Sequence, residues 1–470
     1  MSNNRNRYLA KNTAIFTLGN FGPKVVTFFL VPLYTSVMNT SEYGVVDLIN
    51  TVAMIAIPFL ILNISESIMR FSLDKNSDYN KIMSIGIFIC FLSIVISIPF
   101  IGVIVRFDGM RRYAYLIYFY TISLGMLQIF LSYLRGKEKL LEFSIGNIIQ
   151  ITTIAFFSFL FLYIWGLHIE GYLLSYILAN VVTCFYVFWI GDIWDVIKNF
   201  SIDKKLTYEM IRYSIFLVPN SFMWWIINSS DRIMVTAMLG AAANGIYAIS
   251  YKIPSMIQIL SNVFNQAWTY SAIRESSSAD KDIYSNKIYY GLSAMALISG
   301  VAILSVIKPF LYYYVGIEYY NAWMYTPFLI VGYVFITMGS FLATFYTVYK
   351  DSKGFLISGC CGAIINILLN FILIPYFGIT GAAMATAISY LVVFIYRAID
   401  TRKYIRIDVF GKRHILATGV LVLASGTVFI NSIYGQILLI IELTLQIYIF
   451  SDYWLPLLKS ATIKISNRIL

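Results

Sequence analysis

The chain has 470 residues, of which 59% are hydrophobic and only 12% are charged, and its mean hydropathy is +0.76. So little polar surface excludes a soluble globular protein of this size and indicates an integral membrane protein. The net charge of +11 arises mainly from short loops, where membrane orientation and anionic lipid head groups account for it, so nucleic acid is not expected as a partner.

Fourteen hydrophobic segments follow one another along the chain, and no stretch between them is long enough to fold as a soluble domain. The segments are 12–37, 44–68, 82–104, 113–134, 143–165, 171–191, 213–238, 245–269, 287–307, 321–348, 355–376, 379–398, 413–431 and 434–455. About 20 apolar residues cross roughly 30 Å of hydrocarbon as a helix. The sequence therefore predicts an all-α integral membrane protein with about 14 transmembrane helices.

Positive charge is distributed very unevenly over the loops. Of the 34 Lys and Arg residues, 27 fall in the N-terminal tail, the even-numbered connections and the C-terminal tail. The opposite side holds only Arg106, Arg111, Arg112 and Lys308. Since Lys and Arg are enriched on the cytoplasmic side, both termini are predicted to be cytoplasmic.

No pattern in the chain is typical of a bound cofactor. There is no Gly-x-x-x-x-Gly-Lys-Ser/Thr loop to bind nucleotide phosphates, so an ATP-driven pump is not expected. The four cysteines lack metal-type spacing, and His168 and His414 are predicted on opposite sides of the membrane. We expect neither a metal site nor a cofactor.

An internal repeat relates two parts of the chain. Glu42-Tyr43-Gly44-Val45 aligns with Ala243-Asn244-Gly245-Ile246 at an offset of 201, and Phe143 to Gly166 aligns with Phe355 to Gly378 at an offset of 212. A six-helix unit used twice is therefore predicted, as two parallel lobes at 1–200 and 201–408 followed by two additional helices at 409–470. Two such lobes suit alternating access about a central site.

Three cations lie well inside the hydrophobic segments rather than at their ends: Lys24, Arg232 and Lys252. A cation near the bilayer centre costs on the order of 3 kcal/mol, so each needs a reason. Lys24 is midway along the first segment, and the other two are each about seven residues from the outer end of their segments. A cationic cavity for an anionic substrate is the functional interpretation. Pairing of Arg232 with Asp231, or snorkelling to the interface, is the structural one.

Acidic residues also occur in the segments. Asp47 and Glu66 are predicted near opposite ends of the second helix, and Asp231 and Glu442 lie in the seventh and fourteenth segments. Each could relay a proton or sodium ion, although Asp47 and Glu66 are also close enough to the interfaces for ordinary solvation. No role is assigned to Glu442.

Several of these residues carry a resemblance to a known family. The motifs are Asn12-Thr13, Gly19-Asn20, Lys24, Phe29-Leu30-Val31-Pro32-Leu33-Tyr34-Thr35, Ser41-Glu42-Tyr43-Gly44, Asp47-Leu48, Arg70-Phe71 and Asp231-Arg232. They resemble Wzx-type polysaccharide flippases of the multidrug/oligosaccharidyl-lipid/polysaccharide (MOP) exporter superfamily. The resemblance implies a MATE-like, two-lobed core.

The resemblance also implies a function. Such flippases move undecaprenyl-diphosphate-linked oligosaccharides across a bacterial plasma membrane for polysaccharide synthesis, as in O-antigen assembly. Lys24, Arg232 and Lys252 would contact the diphosphate and Arg70 its head group at the entrance, with Asp231 holding Arg232. Asp47 or Glu66 would respond to a proton or sodium ion, and the two additional helices would form a groove for the lipid tail. Membrane lipids and other glycan-assembly membrane proteins are the expected partners.

Two other functions remain open. A multidrug/cation antiporter of the same superfamily would require an acidic rather than a cationic first helix. A membrane enzyme of glycan assembly would need larger outer loops than the predicted ones, which are at most about 13 residues long. We therefore expect a transporter and not an enzyme.

Overall fold

The computed structural model describes residues 22, 24–74, 77–106, 109–276 and 278–453. The motif residues Asn12, Thr13, Gly19 and Asn20 lie outside this range. All regular structure in the described residues is helical. The helices up to residue 239 are α1 (Lys24–Val37), α2 (Thr40–Leu60), α3 (Ile64–Ser72), α4 (Tyr79–Ile104), α5 (Ala114–Gly136), α6 (Leu140–Ser158), α7 (His168–Ile190), α8 (Ile193–Lys198), α9 (Lys204–Ile215) and α10 (Val218–Leu239).

The remaining helices are α11 (Ala241–Lys252), α12 (Pro254–Arg274), α13 (Lys281–Tyr314), α14 (Thr326–Val348), α15 (Ser352–Phe377), α16 (Ile379–Asp400), α17 (Lys412–Thr427) and α18 (Ile433–Ile449). Nine helices in the described residues are long and apolar enough to cross a membrane, and α1 and α18 are shorter apolar helices. The all-α membrane fold is confirmed, whereas the count of fourteen crossings stays a prediction.

The chain forms two compact units, residues 1–245 and 246–470. In the first unit α7 packs against α5 and α6, α3 packs against α5 and α9, and α2 packs against α10. In the second unit α16 packs against α14 and α15, and the two additional helices, α17 and α18, pack against α13. The predicted lobes were defined by sequence repetition rather than by compactness, and their boundaries stay predictions.

The predicted second helix is broken, which corrects the placement of its two acids. α2 ends at Leu60, and Leu62 and Asn63 adopt left-handed backbone conformations with φ of 50° and 51° before α3 begins. Asparagine tolerates this conformation better than most residues. The Asn63 Nδ2 atom donates to the Ser221 Oγ atom at 2.8 Å, which stabilises the turn. Asp47 and Glu66 therefore lie on separate helices.

Predicted helices seven and eight are also each divided in two. α9 ends at Ile215 and α10 begins at Val218, while α11 ends at Lys252 and α12 begins at Pro254. Proline is favoured in the first turn of a helix because its missing N–H group has no helical partner there. Lys252 consequently lies at a helix end, eleven residues after the start of α11, rather than about seven.

Left-handed backbone positions recur at the predicted repeat offset. Glu138 and Lys350 have φ of 57° and 56°, and Gly166 and Gly378 have φ of 63° and 59°. Both pairs are separated by 212 residues, the offset read from the sequence. Because left-handed conformations are uncommon outside glycine, their recurrence at Glu138 and Lys350 supports a shared local fold.

The same offset relates two polar contacts at helix ends. In the first unit the Lys139 Nζ atom lies 3.3 Å from the Asp192 Oδ2 atom. The equivalent residues in the second unit are Asp351 and Tyr404, and the Tyr404 hydroxyl donates to the Asp351 Oδ2 atom at 2.7 Å. Lys403 also pairs with Asp351 at 3.1 Å. The start of α6 is therefore joined to the segment after α7 in the first unit, and the start of α15 to the segment after α16 in the second, by different side chains.

Asp351 gives a pH-dependent prediction. The backbone N–H of Gly354, the Tyr404 hydroxyl and Lys403 together lower the pKa of Asp351 to about 2. A carboxyl with a depressed folded-state pKa stabilises the fold above its unfolded pKa, and this contribution is lost as pH falls through the folded value. We expect Asp351→Asn to lower Tm slightly at pH 7 and to weaken the fall in Tm between about pH 4 and pH 2.

Thermal unfolding of purified protein in detergent, followed by intrinsic fluorescence across this pH range, measures the effect. Asp195→Asn is the matched control, since Asp195 is exposed and its carboxylate forms no ion pair with the described residues. Identical pH profiles for Asp351→Asn and the wild type would show that the Asp351 cluster contributes nothing to stability.

Candidate functional site

The candidate site is built on the first turns of α2. Asn39 caps this helix by accepting a hydrogen bond from the Glu42 N–H at 2.9 Å, and the Glu42 carboxylate accepts one from the Asn39 N–H at 2.9 Å. Such a reciprocal capping box satisfies two backbone donors that the helix leaves unpaired. The fixed start of α2 sets the position of Asp47 two turns further along.

Asp47 is buried and both of its carboxylate oxygens have partners. The Arg232 Nη1 atom on α10 donates to Oδ1 at 2.9 Å, and the Asn244 Nδ2 atom on α11 lies 3.3 Å from Oδ2. The Asp47 side chain is 8% exposed and that of Arg232 is 25% exposed. A buried charge needs a counter-charge and hydrogen bonds, and this cluster supplies both.

Asn244 also binds the backbone of α2 where two glycines face each other. Its Nδ2 atom donates to the Gly44 carbonyl oxygen at 3.0 Å. A Cβ atom on Gly44 would overlap the carbonyl oxygen of Ala241, and one on Gly245 would overlap the carbonyl oxygen of Thr40. Only glycine permits so close an approach of two helix backbones.

This glycine contact is reciprocal in sequence. Thr40 and Ala241 differ by 201 residues, as do Gly44 and Gly245, and 201 is the offset of the aligned turns. Gly44 meets Ala241, and the equivalent glycine, Gly245, meets Thr40, which is the equivalent of Ala241. This exchange of equivalent partners is the pattern of a pseudo-twofold contact. We name this contact, formed by Thr40, Gly44, Ala241 and Gly245, the glycine contact.

Arg232 has a charged partner in addition to its sequence neighbour Asp231. Asp231 is buried, and its Oδ1 atom accepts a hydrogen bond from the Arg232 backbone N–H at 2.9 Å. The guanidinium of Arg232 pairs with Asp47, 185 residues away in sequence. Asp231 thus contacts the backbone of α10, and Asp47 orients the cation.

The other predicted cations lie on other helices. Lys24 is exposed in the first turn of the described part of α1, and Lys252 is half-buried at the end of α11. Arg70 is exposed in the last turn of α3 and pairs with Asp74 at 2.6 Å. Glu66 is exposed on α3, and no hydrogen bond joins it to Asp47 within the described residues. A shared cavity for Lys24, Arg232 and Lys252 stays a prediction.

Asn244 is the residue of this site that the sequence analysis did not select. Its neighbour Gly245 was aligned with Gly44, so the signal existed in the repeat. An asparagine beside a repeated glycine at the start of a predicted membrane helix has a side-chain amide that needs hydrogen-bond partners. The backbone closest to such a glycine is that of the aligned turn in the other repeat.

Comparisons with known proteins define the class of the fold. The structure is similar to the lipid II flippase MurJ in an inward closed conformation, with a TM-score of 0.69 and 15% identity, over 95% of this chain and 99% of that one. It is also similar to an inward-facing multidrug resistance MATE family transporter of the MOP superfamily, with a TM-score of 0.66 and 14% identity, over 83% and 94%. This is the fold of MOP superfamily transporters.

A third similar structure is a MOP superfamily transporter from Pyrococcus furiosus, titled for the reverse polarity of its binding pocket, with a TM-score of 0.57, 13% identity and coverage of 84% and 94%. No curated protein matches the chain. The family model described as polysaccharide biosynthesis protein matches residues 9–270. The chain belongs to this family.

The glycine contact gives a stability prediction. We expect Gly245→Ala to destabilise this conformation by about 1–3 kcal/mol, the usual cost of overpacking, because the new methyl group meets a backbone carbonyl that cannot rotate away. Thermal unfolding would show a lower Tm. Gly419→Ala is the control, since nothing lies within 4 Å of a Cβ atom there. A wild-type Tm for Gly245→Ala would contradict the close approach.

The ion pair gives a second prediction, measured with a double-mutant cycle. We expect Asp47→Ala, Arg232→Ala and their combination to give a coupling energy of about 1–3 kcal/mol in unfolding, because the pair is largely shielded from water. The exposed pair Arg112–Glu170, at 2.9 Å, is the control and should give less than about 1 kcal/mol. Equal couplings in the two cycles would contradict the special role of the Asp47 pair.

Proposed function

We propose that this protein is a flippase that moves an undecaprenyl-diphosphate-linked oligosaccharide from the cytoplasmic to the outer leaflet by alternating access, for cell-surface polysaccharide synthesis. The observation that carries the proposal is the family match over residues 9–270, whose description is polysaccharide biosynthesis. The similarity to a lipid II flippase supports it, because that match extends over 95% of this chain, whereas the match to the MATE transporter extends over 83%. The proposed location is the bacterial plasma membrane, with both termini cytoplasmic.

Arg232 is the proposed centre of diphosphate recognition. Its side chain is 25% exposed while its Nη1 atom is bound to Asp47, so the residue is not sealed off from a ligand. Arginine suits phosphate because its planar fork donates two parallel hydrogen bonds. Lys24 and Lys252 are the proposed further contacts, and Arg70 the contact at the entrance.

Asp47 is the proposed group for ion coupling, in preference to Glu66. Its carboxylate holds Arg232 directly, whereas Glu66 is exposed on another helix. A proton or sodium ion on Asp47 would compensate its carboxylate as Arg232 turns from Asp47 to the diphosphate. The glycine contact would close one side of the transport path until this exchange occurs.

An apolar crevice beside α17 is the proposed site of the lipid tail. α17 borders an apolar crevice of about 460 Å³ with α14 and α16. Phe335, Leu391, Phe410 and Val422 are among its walls. We propose this crevice as the tail groove, although only α17 of the two additional helices contributes residues to its lining. Membrane lipids and other glycan-assembly proteins are the proposed partners of this face.

The alternatives predict different results. A multidrug/cation antiporter would tolerate neutralisation of Lys24 and require Asp47 as an acid. An enzyme of glycan assembly would alter glycan bonds in detergent. The similar structures are those of a flippase and of transporters, which favours transport.

The test follows a fluorescent undecaprenyl-diphosphate oligosaccharide between leaflets of proteoliposomes, with and without a proton or sodium gradient. We expect the wild type to move the lipid and Lys24→Ala to lose at least about tenfold in rate, the equivalent of 1.4 kcal/mol of lost charge interaction. Lys353→Ala is the matched control, since Lys353 is an exposed lysine at the start of α15.

Equal rates for Lys24→Ala and Lys353→Ala would remove Lys24 from the site and leave the flippase proposal intact. Failure of folded wild type to move the lipid under any gradient would overturn the proposal itself. Asp47→Asn should then be compared under both gradients for export of an organic cation, the activity of the antiporter alternative.

A further inference from the structure

The first unit contains a second apolar chamber, next to the Asp47–Arg232 pair and apart from the additional helices. Its volume is about 790 Å³, within the range of about 300–1,000 Å³ that is typical of ligand sites. Its walls come from α2, α4, α5 and α10. No residue of α17 or α18 contributes, so this chamber is distinct from the proposed tail groove.

One face of each of two helices supplies most of the wall. Leu48, Val52, Ala56 and Phe59 form a stripe along α2, and Ile233, Thr236 and Ala237 form the facing stripe on α10. Residues three and four positions apart share a helix face. Leu48 directly follows Asp47, and Ile233 directly follows Arg232. The chamber wall therefore starts one residue after each member of the ion pair.

The wall is apolar apart from four hydroxyls, and each of these donates its proton to a backbone carbonyl. The hydroxyls of Ser97 and Tyr118 both donate to the Ile94 carbonyl, at 3.1 Å and 2.7 Å. Those of Thr121 and Thr236 donate to the helix carbonyls of Ile117 and Arg232, each at 2.8 Å. With these donors occupied by the backbone, the chamber suits hydrocarbon far better than a sugar or a phosphate.

The chamber is open at its edge. The wall residues Val52, Phe59, Phe100 and Val103 have exposed fractions of 39%, 48%, 54% and 49%. α2 and α4 are both long and apolar enough to span a membrane. An opening lined by exposed apolar side chains at this depth admits a lipid chain rather than water.

The geometry points to this chamber as a binding site for the head-proximal isoprene units of a polyprenyl diphosphate. The inference rests on the proposed function, because it takes the diphosphate to lie at Arg232. An amphiphile with its charged end there would place its first branched apolar units against Leu48 and Ile233. The charged pair and the chamber then match the two ends of one molecule.

Photolabelling tests the occupant. Full-length protein in nanodiscs is mixed with an eleven-isoprene diphosphate that carries a diazirine near its head group, irradiated and digested. We expect labelled peptides from α2, α4 and α10, and we expect unlabelled undecaprenyl diphosphate to abolish the labelling. Equal competition by phosphatidylglycerol would overturn the inference and identify an ordinary acyl lipid as the occupant.

A chamber-filling variant tests the contribution to affinity. Ala56→Trp should weaken binding of undecaprenyl diphosphate about tenfold, the effect of roughly two lost buried CH₂ groups at about 0.8 kcal/mol each. Its affinity for a two-isoprene diphosphate should change less, because a short chain reaches less of the chamber. Ala237→Trp, on the facing stripe, should behave in the same way. Ala155→Trp, at a half-buried position of α6 outside the chamber, is the control.

The outcomes separate this inference from the proposed function. Wild-type flipping with labels only on α17 or α18, or with unchanged chain-length preference in both chamber variants, would overturn the chamber site alone. Absence of both flipping and polyprenyl diphosphate binding in folded wild type would overturn the proposed function and this inference with it.

Discussion

The first unit is organised around one electrostatic requirement: a buried carboxylate in a membrane-spanning helix must be paired. Asp47 meets it with the Arg232 guanidinium on one oxygen and the Asn244 amide on the other. These contacts tie α2 to α10 and to the start of α11. Removing one partner from a buried ion pair costs about 3–5 kcal/mol, far more than an exposed pair contributes. The relative positions of these three helix segments therefore depend on Asp47.

The glycine contact makes this pairing possible. An asparagine amide reaches only a short distance from its own backbone, so Asn244 can bind the Gly44 carbonyl only if α2 and α11 come very close. Gly44 and Gly245 allow that approach, since any Cβ atom would overlap a carbonyl of the opposite helix. The packing thus brings polar partners together at a depth where unpaired polar groups are costly. The close approach that the two glycines permit is therefore the one that the hydrogen bonds of Asn244 require.

The sequence predicts the helices well and the site only in part. Twenty apolar residues leave few alternatives to a membrane helix, so each of the fourteen predicted segments is mainly helical where the structure describes it, apart from the breaks described above. The break at Leu62 and Asn63 contains no proline or glycine, and the nearest proline, Pro58, lies inside α2. Pro254, by contrast, begins the helix that follows the break after α11. Asp47 and Arg232 were both selected, but their pairing was not, because a single sequence does not show which helix faces meet across 185 residues. Asn244 could have been found from the repeat, which aligned its glycine with Gly44.

The energies of the site bear on how a transport cycle could proceed. Moving one elementary charge through 100 mV supplies about 2.3 kcal/mol. That is less than the 3–5 kcal/mol needed to leave half of a buried ion pair unpaired. Membrane potential acting on one charge is therefore insufficient to free Arg232 from Asp47, and a replacement partner must arrive as the old one leaves. A diphosphate can supply that replacement, because its oxygens accept the same hydrogen bonds as the carboxylate. The ion that then occupies Asp47 would neutralise the abandoned charge. In this scheme substrate and coupling ion act on opposite members of one pair, so neither alone should open the site.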